Sequence, residues 1–413
     1  MRFAEFITEQ KNTHMTHIED KVLYGGVDGT RQAILALRSL RDMLGGVKEG
    51  SASVKWDGAP AIFAGTDPRD GKFFVAKKGI FNKSPKVYKT DAEVEADTSG
   101  DLSDKLKLAL KYLPSLGIKG VIQGDFLYGP GELKREKIKG TNYITFHPNT
   151  IVYAVPTDSP KAKELLKSKI GIVWHTTYTG NSFETMKASY GVDVSKLNKT
   201  ANVWSQDAML RDLTNYTMSK KETEIVNDYL SEAGKLFNQI SGNVLRDLEK
   251  NQSLAQTIET FNNSFVRRGM VIANTQKHVN ALIRYIKNKY QKEIDSRKTE
   301  KGKQVQKGKL NEVLKFFSEK NKVNLKKIFD LQKLIVLAKL KIINILNKFI
   351  RLDTFVQTSN GFKTTGQEGF VAIDKLGGDA VKIVDRLEFS YNNFNPSILK
   401  GWNKPTRTWH VKI

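Results

Sequence analysis

Ser53-Val54-Lys55-Trp56-Asp57-Gly58-Ala59-Pro60-Ala61-Ile62-Phe63 sets a single lysine between two short apolar segments, with an acid-glycine turn directly after it. The stretch reads as strand, sharp turn, strand, so that the two strands can flank a ligand. A lysine at that point is expected at a sheet edge, half out of water. Loss of hydration lowers the pKa of an amine and makes it a usable nucleophile. The tetrapeptide K-x-D-G also recurs by chance in ordinary hairpins, so the rest of the chain has to carry the reading.

The chain has 413 residues, enough for two or three domains with a sizeable core. It has no cysteine, which excludes disulfides, zinc ribbons and thiol nucleophiles and suits a reducing compartment. The start, Met1 to Glu9, lacks the long apolar run of a signal peptide. The most apolar later stretch, Leu334 to Leu346, is interrupted by Lys339 and Lys341 and is too short and too charged to span a bilayer. A cytoplasmic protein with no membrane partner is expected, in the host cytoplasm if the chain is phage-encoded. The net charge is +23, and residues 281–355 carry 20 Lys and Arg against 7 Asp and Glu. Such an imbalance attracts polyanions, nucleic acid above all. The six histidines show no metal-ligand spacing and read as structural.

Around the opening stretch, the pattern predicts strands at 52–56, 60–64 and 72–77. A strand over 120–128 carries one acid, Asp125. A basic, polar loop is expected over 132–141, then strands at 143–147, 150–155 and 170–175. Upstream, Gly25 to Arg31 reads as a loop in which Asp28 or Thr30 caps a helix over 31–44. From 205 to 352 apolar residues recur at helical spacing, with helices expected at 205–216, 220–240, 244–261, 275–297, 310–319 and 325–350. Ser296 to Gly308, rich in Lys, Gly and Gln, reads as an exposed basic loop between two of them. Strands resume at 366–373 and 380–385, with another at 408–413. The fold class is therefore α+β, a β-rich core interrupted by an all-helical unit. The divisions are 1–200 and 355–413 for the two parts of the core, and 201–354 for a basic helical insertion.

Lys55, Asp125, Glu368 and Lys382 fall on separate strands. One nucleophilic lysine, two acids and a second lysine are what nucleotidyl transfer needs: the acids serve metal or ribose, and the second lysine neutralises charge building on the α-phosphate. In order, K-W-D-G (55–58), A-K-K-G (76–79), Q-G-D-F (123–126), I-V-Y-A (151–154), E-G-F-V (368–371) and V-K-I-V (381–384) resemble the motif series of the covalent nucleotidyltransferases. That superfamily includes ATP-dependent DNA ligases, RNA ligases and mRNA capping enzymes, and the single-chain size is similar to that of phage ligases. The likeness touches residues 50–178 and 365–390.

The resemblance implies a nucleotidyltransferase core of antiparallel sheets and an ATP-dependent polynucleotide ligase. Lys55 would carry AMP, Asp57 would orient around it, and Gly58 would line the nucleotide. Lys77 would reach phosphate or a 5′ end. Asp125 would take the place of the family's glutamate at ribose and metal, and Tyr153 would stack on adenine. Glu368 would help bind Mg²⁺ or Mn²⁺, and Lys382 would contact the α-phosphate. The sequence departs from the pattern at Pro60, where the family often has arginine, and at Val384, where it often has a second lysine. The residues after Val384 are too few for an OB-fold, so the basic helical insertion is expected to clamp the polynucleotide of a monomeric enzyme. A GTP-dependent capping-type guanylyltransferase and a non-catalytic nucleic-acid-binding protein are the alternatives.

Overall fold

The computed structural model describes residues 16–47, 51–210, 218–350, 352–373 and 380–401. The expected strand at 408–413, with Trp402 and Trp409, lies outside them.

The chain enters through a short 3₁₀ turn, Ile18–Asp20, and two helices, α1 (Lys21–Tyr24) and α2 (Gly26–Leu44). The predicted capping loop at 25–31 is instead the first turn of α2, and Thr30 donates its hydroxyl to the Gly26 carbonyl rather than capping anything. The glycines there serve packing: a Cβ on Gly29 would lie 2.4 Å from the Lys21 carbonyl oxygen, so only glycine lets α1 and α2 approach this closely.

Three sheets follow. β1 (Ser51–Lys55), β2 (Ala61–Thr66) and β3 (Phe73–Ala76) lead to α3 (Asp91–Asp97) and α4 (Gly100–Tyr112). Then come β4 (Val121–Tyr128), β5 (Lys134–Ile138), β6 (Thr141–Phe146), β7 (Ile151–Pro156), α5 (Pro160–Lys167), β8 (Ile170–Thr179), β9 (Lys187–Tyr190), β10 (Val203–Asp207) and β11 (Met209–Leu210). After the helical region lie β12 (Asp353–Thr358), β13 (Gly361–Thr364), β14 (Gly369–Ile373) and β15 (Ala380–Ile383). The strand orders are β11-β1-β14-β15, then β10-β8-β4-β2-β3 with β9 on β8, then β13-β12-β7-β6-β5. Pairing is antiparallel except for β10 on β8.

Two sequence expectations are corrected here. The helix predicted over 205–216 is replaced, as far as Leu210, by β10 and β11. β10 is held parallel to β8 and its Trp204 is buried against Tyr128 and Phe146, so tertiary pairing overrides helical spacing. The basic loop at 132–141 is the β5–β6 hairpin. Its turn places Lys139 at φ 51° and Gly140 at φ 89°, the positive-φ pair that a two-residue hairpin turn requires.

The helical region comprises α6 (Lys220–Phe237), α7 (Gly242–Lys250), α8 (Gln252–Val266), α9 (Thr275–Asp295), α10 (Glu300–Lys315) and α11 (Glu319–Asn347), and α12 (Arg386–Phe394) closes the described chain. The expected single helix at 244–261 breaks at Asn251, whose side chain caps α8 by accepting from Leu254 N. The expected basic loop at 296–308 is largely helix, because Thr299 caps α10 through Gly302 N. The helical region shares one core with the β1 sheet and with α2: Leu37, Leu230, Ile335 and Ile342 pack in the same cluster as Phe370 and Ile383. The unit expected at 201–354 thus starts after β11 and recruits the N-terminal helices. Among the described residues no helix is long and apolar enough to cross a membrane.

Lys339, which breaks the apolar run of α11, is 1 % exposed and lies inside this core. Both Glu19 carboxylate oxygens hold its ammonium at 2.8 Å, and beside them Arg386 donates to Asp20 at 2.7 Å. This buried charge network ties the N-terminal turn, the longest helix and the segment after β15 into one structure.

Candidate active site

Strand register assembles the site. Lys55, the last residue of β1, stands opposite Gly369, and Glu368 immediately precedes that glycine. On the far side of β14, Val371 stands opposite Lys382. Positions 369 and 371 point to the same side of the strand, so Lys55 and Lys382 share one face of the sheet. β1 is therefore an interior strand, and Lys55 lies at its end rather than at a sheet edge as expected.

The turn after Lys55 crosses to the second sheet, where Asp125 on β4 pairs with Ala61. Gly58 makes that crossing possible: a Cβ there would fall 2.5 Å from Asp125 Cβ and 3.0 Å from the Phe126 carbonyl oxygen. Neither atom belongs to a flexible tip, so Gly58→Ala is expected to cost about 1–3 kcal/mol through displaced backbone. Thermal unfolding checks this; an unchanged midpoint would show that the two strands are not pressed together at this point.

Asp57 is buried and fully engaged. Its carboxylate accepts from Asn149 Nδ2 at 2.7 Å, Thr150 N at 2.7 Å and Ile151 N at 2.8 Å. Its own backbone N–H donates to the Tyr153 hydroxyl at 2.7 Å. The acid of K-x-D-G thus pins the turn to β7 and leaves its charge, rather than a free oxygen, to act on the lysine.

Lys55 is one-third exposed and its ammonium is paired with Glu368. Burial pushes its pKa down, but Glu368, Asp125 and Asp57 together outweigh that, so the net shift is upward. This corrects the expectation of a depressed, ready nucleophile: three carboxylates hold the amine charged. The acids move the other way. Burial raises Asp125 to about 7 against the pull of Lys55, and burial raises Glu368 to about 7 against the same pull. Lys382 is lowered, first by burial and then by the charge of Lys55.

Two assigned residues are engaged otherwise than expected. Tyr153 is fully buried, its ring 4.8 Å from that of Trp56 and stacked 5.3 Å from that of Phe146, so core side chains take the place assigned to adenine. Lys77 is paired with Asp97 at 3.0 Å, and the same carboxylate accepts from Lys86 and Tyr88, so this lysine is drawn toward α3. Its exposed neighbour Lys78 is the one whose charge reaches Asp125.

The structure adds His175, treated from the sequence as merely structural. Its Nε2 lies 3.7 Å from Asp125 Oδ2 and its Nδ1 2.7 Å from Thr176 Oγ1. Burial and the charge of Lys55 lower it to about 4, so it is neutral at pH 7. No local pattern marks it; only the pairing of β8 with β4 brings it in. Among the described residues no group of three His, Cys, Asp or Glu side chains is placed to hold a metal ion, and Asp125 and Glu368 both face Lys55.

Fold and site define a mixed α+β protein in which a lysine–carboxylate cluster sits where two sheets meet. The chain belongs to a family of unknown function, DUF6267, whose model matches residues 12–398. No curated protein and no solved structure matches it.

Proposed function

We propose that the protein is an ATP-dependent polynucleotide ligase working through a covalent lysine–AMP intermediate. The observation that carries the reading is the convergence of Lys55, Glu368 and Lys382 on adjacent strands, with Asp125 opposite, from segments about 300 positions apart in the chain. The Lys55 amine, once its proton has passed to water and its pairing with Glu368 is released, attacks the α-phosphorus of ATP. The N–P bond forms as the bond to the bridging oxygen of the β-phosphate breaks, and pyrophosphate leaves. AMP passes to a 5′-phosphate strand end, and a 3′-hydroxyl then displaces AMP to seal the strand. Lys382, on the same face as Lys55, would offset charge on the α-phosphate.

Magnesium typically takes one or two carboxylates plus substrate phosphates, and Asp125 and Glu368 fit that donor set. They would hold Mg²⁺ or Mn²⁺, which would supply charge neutralisation on the phosphate oxygens.

Incubation with ATP labelled at the α-phosphate, in the presence of Mg²⁺, is expected to leave label on the protein that survives denaturation. Labelling by GTP instead would point to a capping-type guanylyltransferase. Labelling by neither would overturn the nucleotidyl-transfer reading and leave a nucleic-acid-binding protein. A nick-sealing panel with DNA or RNA on each side of the break identifies the strand joined.

A further inference from the structure

We propose that the hairpin of α9 and α10 is the docking surface for the phosphate backbone of a nucleic-acid duplex, which it grips without regard to sequence. The proposal deepens the polynucleotide reading above and rests on it for the partner's identity. The surface itself is argued from charge and packing.

Residues 277–315 carry twelve Lys and Arg against four Asp and Glu. Two of those acids are occupied locally, Glu300 by Lys303 and Glu312 by Lys315, each at 2.7 Å. Arg284, Lys287 and Lys292 on α9 and Lys301, Lys307 and Lys309 on α10 are exposed, and none has an ion-pair partner among the described residues. The two helices pack against each other, so both sets of cations belong to one hairpin.

α10 is anchored chiefly at its C-terminal end, where Leu310, Val313 and Leu314 pack partly buried against the helical core. Of its sixteen residues only Gln306 is buried, and Gly302 and Gly308 weaken it as a helix. α9, by contrast, buries His278, Val279, Leu282 and Ile286. A lightly anchored, lysine-rich helix laid along a well-anchored one is not explained by stability, whereas concentrated positive charge attracts a polyanion.

The hairpin's composition selects among polyanions. Proteins that grip single strands add aromatic side chains on which bases stack. Here Tyr285 and Tyr290 are only partly exposed and pack on the helical core, so charge is offered without stacking platforms. An anionic membrane surface would call for an apolar stripe beside the charge, and Val305 is the hairpin's sole exposed large hydrophobic residue among those described. A duplex backbone needs charge alone.

The test uses the full chain and a variant carrying Lys301→Gln, Lys307→Gln and Lys309→Gln, whose fold is checked by circular dichroism. Binding to two unrelated 30-base-pair duplexes is followed by fluorescence anisotropy across a salt series. The variant is expected to bind both duplexes more weakly by tenfold or more. The slope of log affinity against log salt should flatten by about 2.7, the release expected for three phosphate contacts. Unchanged affinity and slope would overturn the proposal. So would a clear preference for single strands, or phosphatidylserine vesicles losing affinity for the variant while the duplexes do not. Self-labelling with ATP needs no polynucleotide, so the two readings fail separately. Labelled protein with duplex binding indifferent to the substitutions would sink the docking surface and spare the ligase. Unlabelled protein whose duplex binding collapses in the variant would do the reverse.

Discussion

Lys55→Arg is expected to abolish covalent labelling by ATP, with a loss of more than about 10⁴-fold, because a guanidinium stays charged and is not a nucleophile. Arginine is the informative substitution. Glu368 lies largely buried against Lys55, with Lys382 the next cation, so alanine would leave the carboxylate short of its main partner and mix instability with lost chemistry. Arginine keeps a cation there. The variant should unfold at close to the wild-type temperature while giving none of the acid-labile, alkali-stable label expected of a lysine phosphoramidate. Label persisting on the arginine variant would place the nucleophile elsewhere and remove Lys55 from the mechanism.

Lys339→Met is expected to destabilise the protein by about 3–5 kcal/mol, since it strands the Glu19 carboxylate in the core. Glu19 is 4 % exposed, and with Lys339 gone Arg386, at 3.4 Å, is the remaining Lys or Arg ion-pair partner among the described residues. The double variant Glu19→Leu, Lys339→Met should recover much of that loss, because removing both charges leaves neither uncompensated. Denaturant midpoints at pH 7 measure both. A single variant as stable as wild type would mean that the pair is solvated in solution.

The pH dependence has a definite sign. Burial works to raise the Glu19 pKa, but Lys339 and Arg386 outweigh it and hold the carboxyl down to about 2, against an ordinary 4.5. An acid depressed on folding adds stability above its unfolded pKa, and that stability is lost as pH falls through the folded value. The contribution should therefore be complete above about pH 4.5 and vanish toward pH 2. Asp20 runs the other way: burial raises it from an ordinary 3.8 to about 7 despite Arg386, so it subtracts stability as pH climbs from about 3.8 to 7. Stability curves of wild type and of the double variant, compared between pH 2 and 5, isolate the Glu19 limb.

Much of the β architecture could be read from local pattern. The strands around Lys55, Asp125 and Lys382 lie within a few residues of their expected limits, because alternation and turn glycines are short-range signals. Errors arose where a distant partner decides. Residues 205–207 carry helical spacing, yet they are in a strand because β8 offers them an edge. Lys339 reads as a break in an apolar helix face, yet it belongs inside because Glu19, 320 positions away, meets it there. Tyr153 has the residue type of a base-stacking platform, but Trp56 and Phe146 close over its ring.

By itself the sequence determined which reactive side chains exist and that they fall at the ends or middles of short strands, because side-chain chemistry and the two-residue period are local properties. Only the tertiary structure decided that Lys55 meets Glu368, that His175 borders the cluster while the Tyr153 ring is packed against Trp56 and Phe146, and that the lysine is held protonated. The physical reason is that proton affinity and burial belong to a group's neighbours. For a strand those neighbours are supplied by pairing register with segments hundreds of residues away, on which a local pattern is silent.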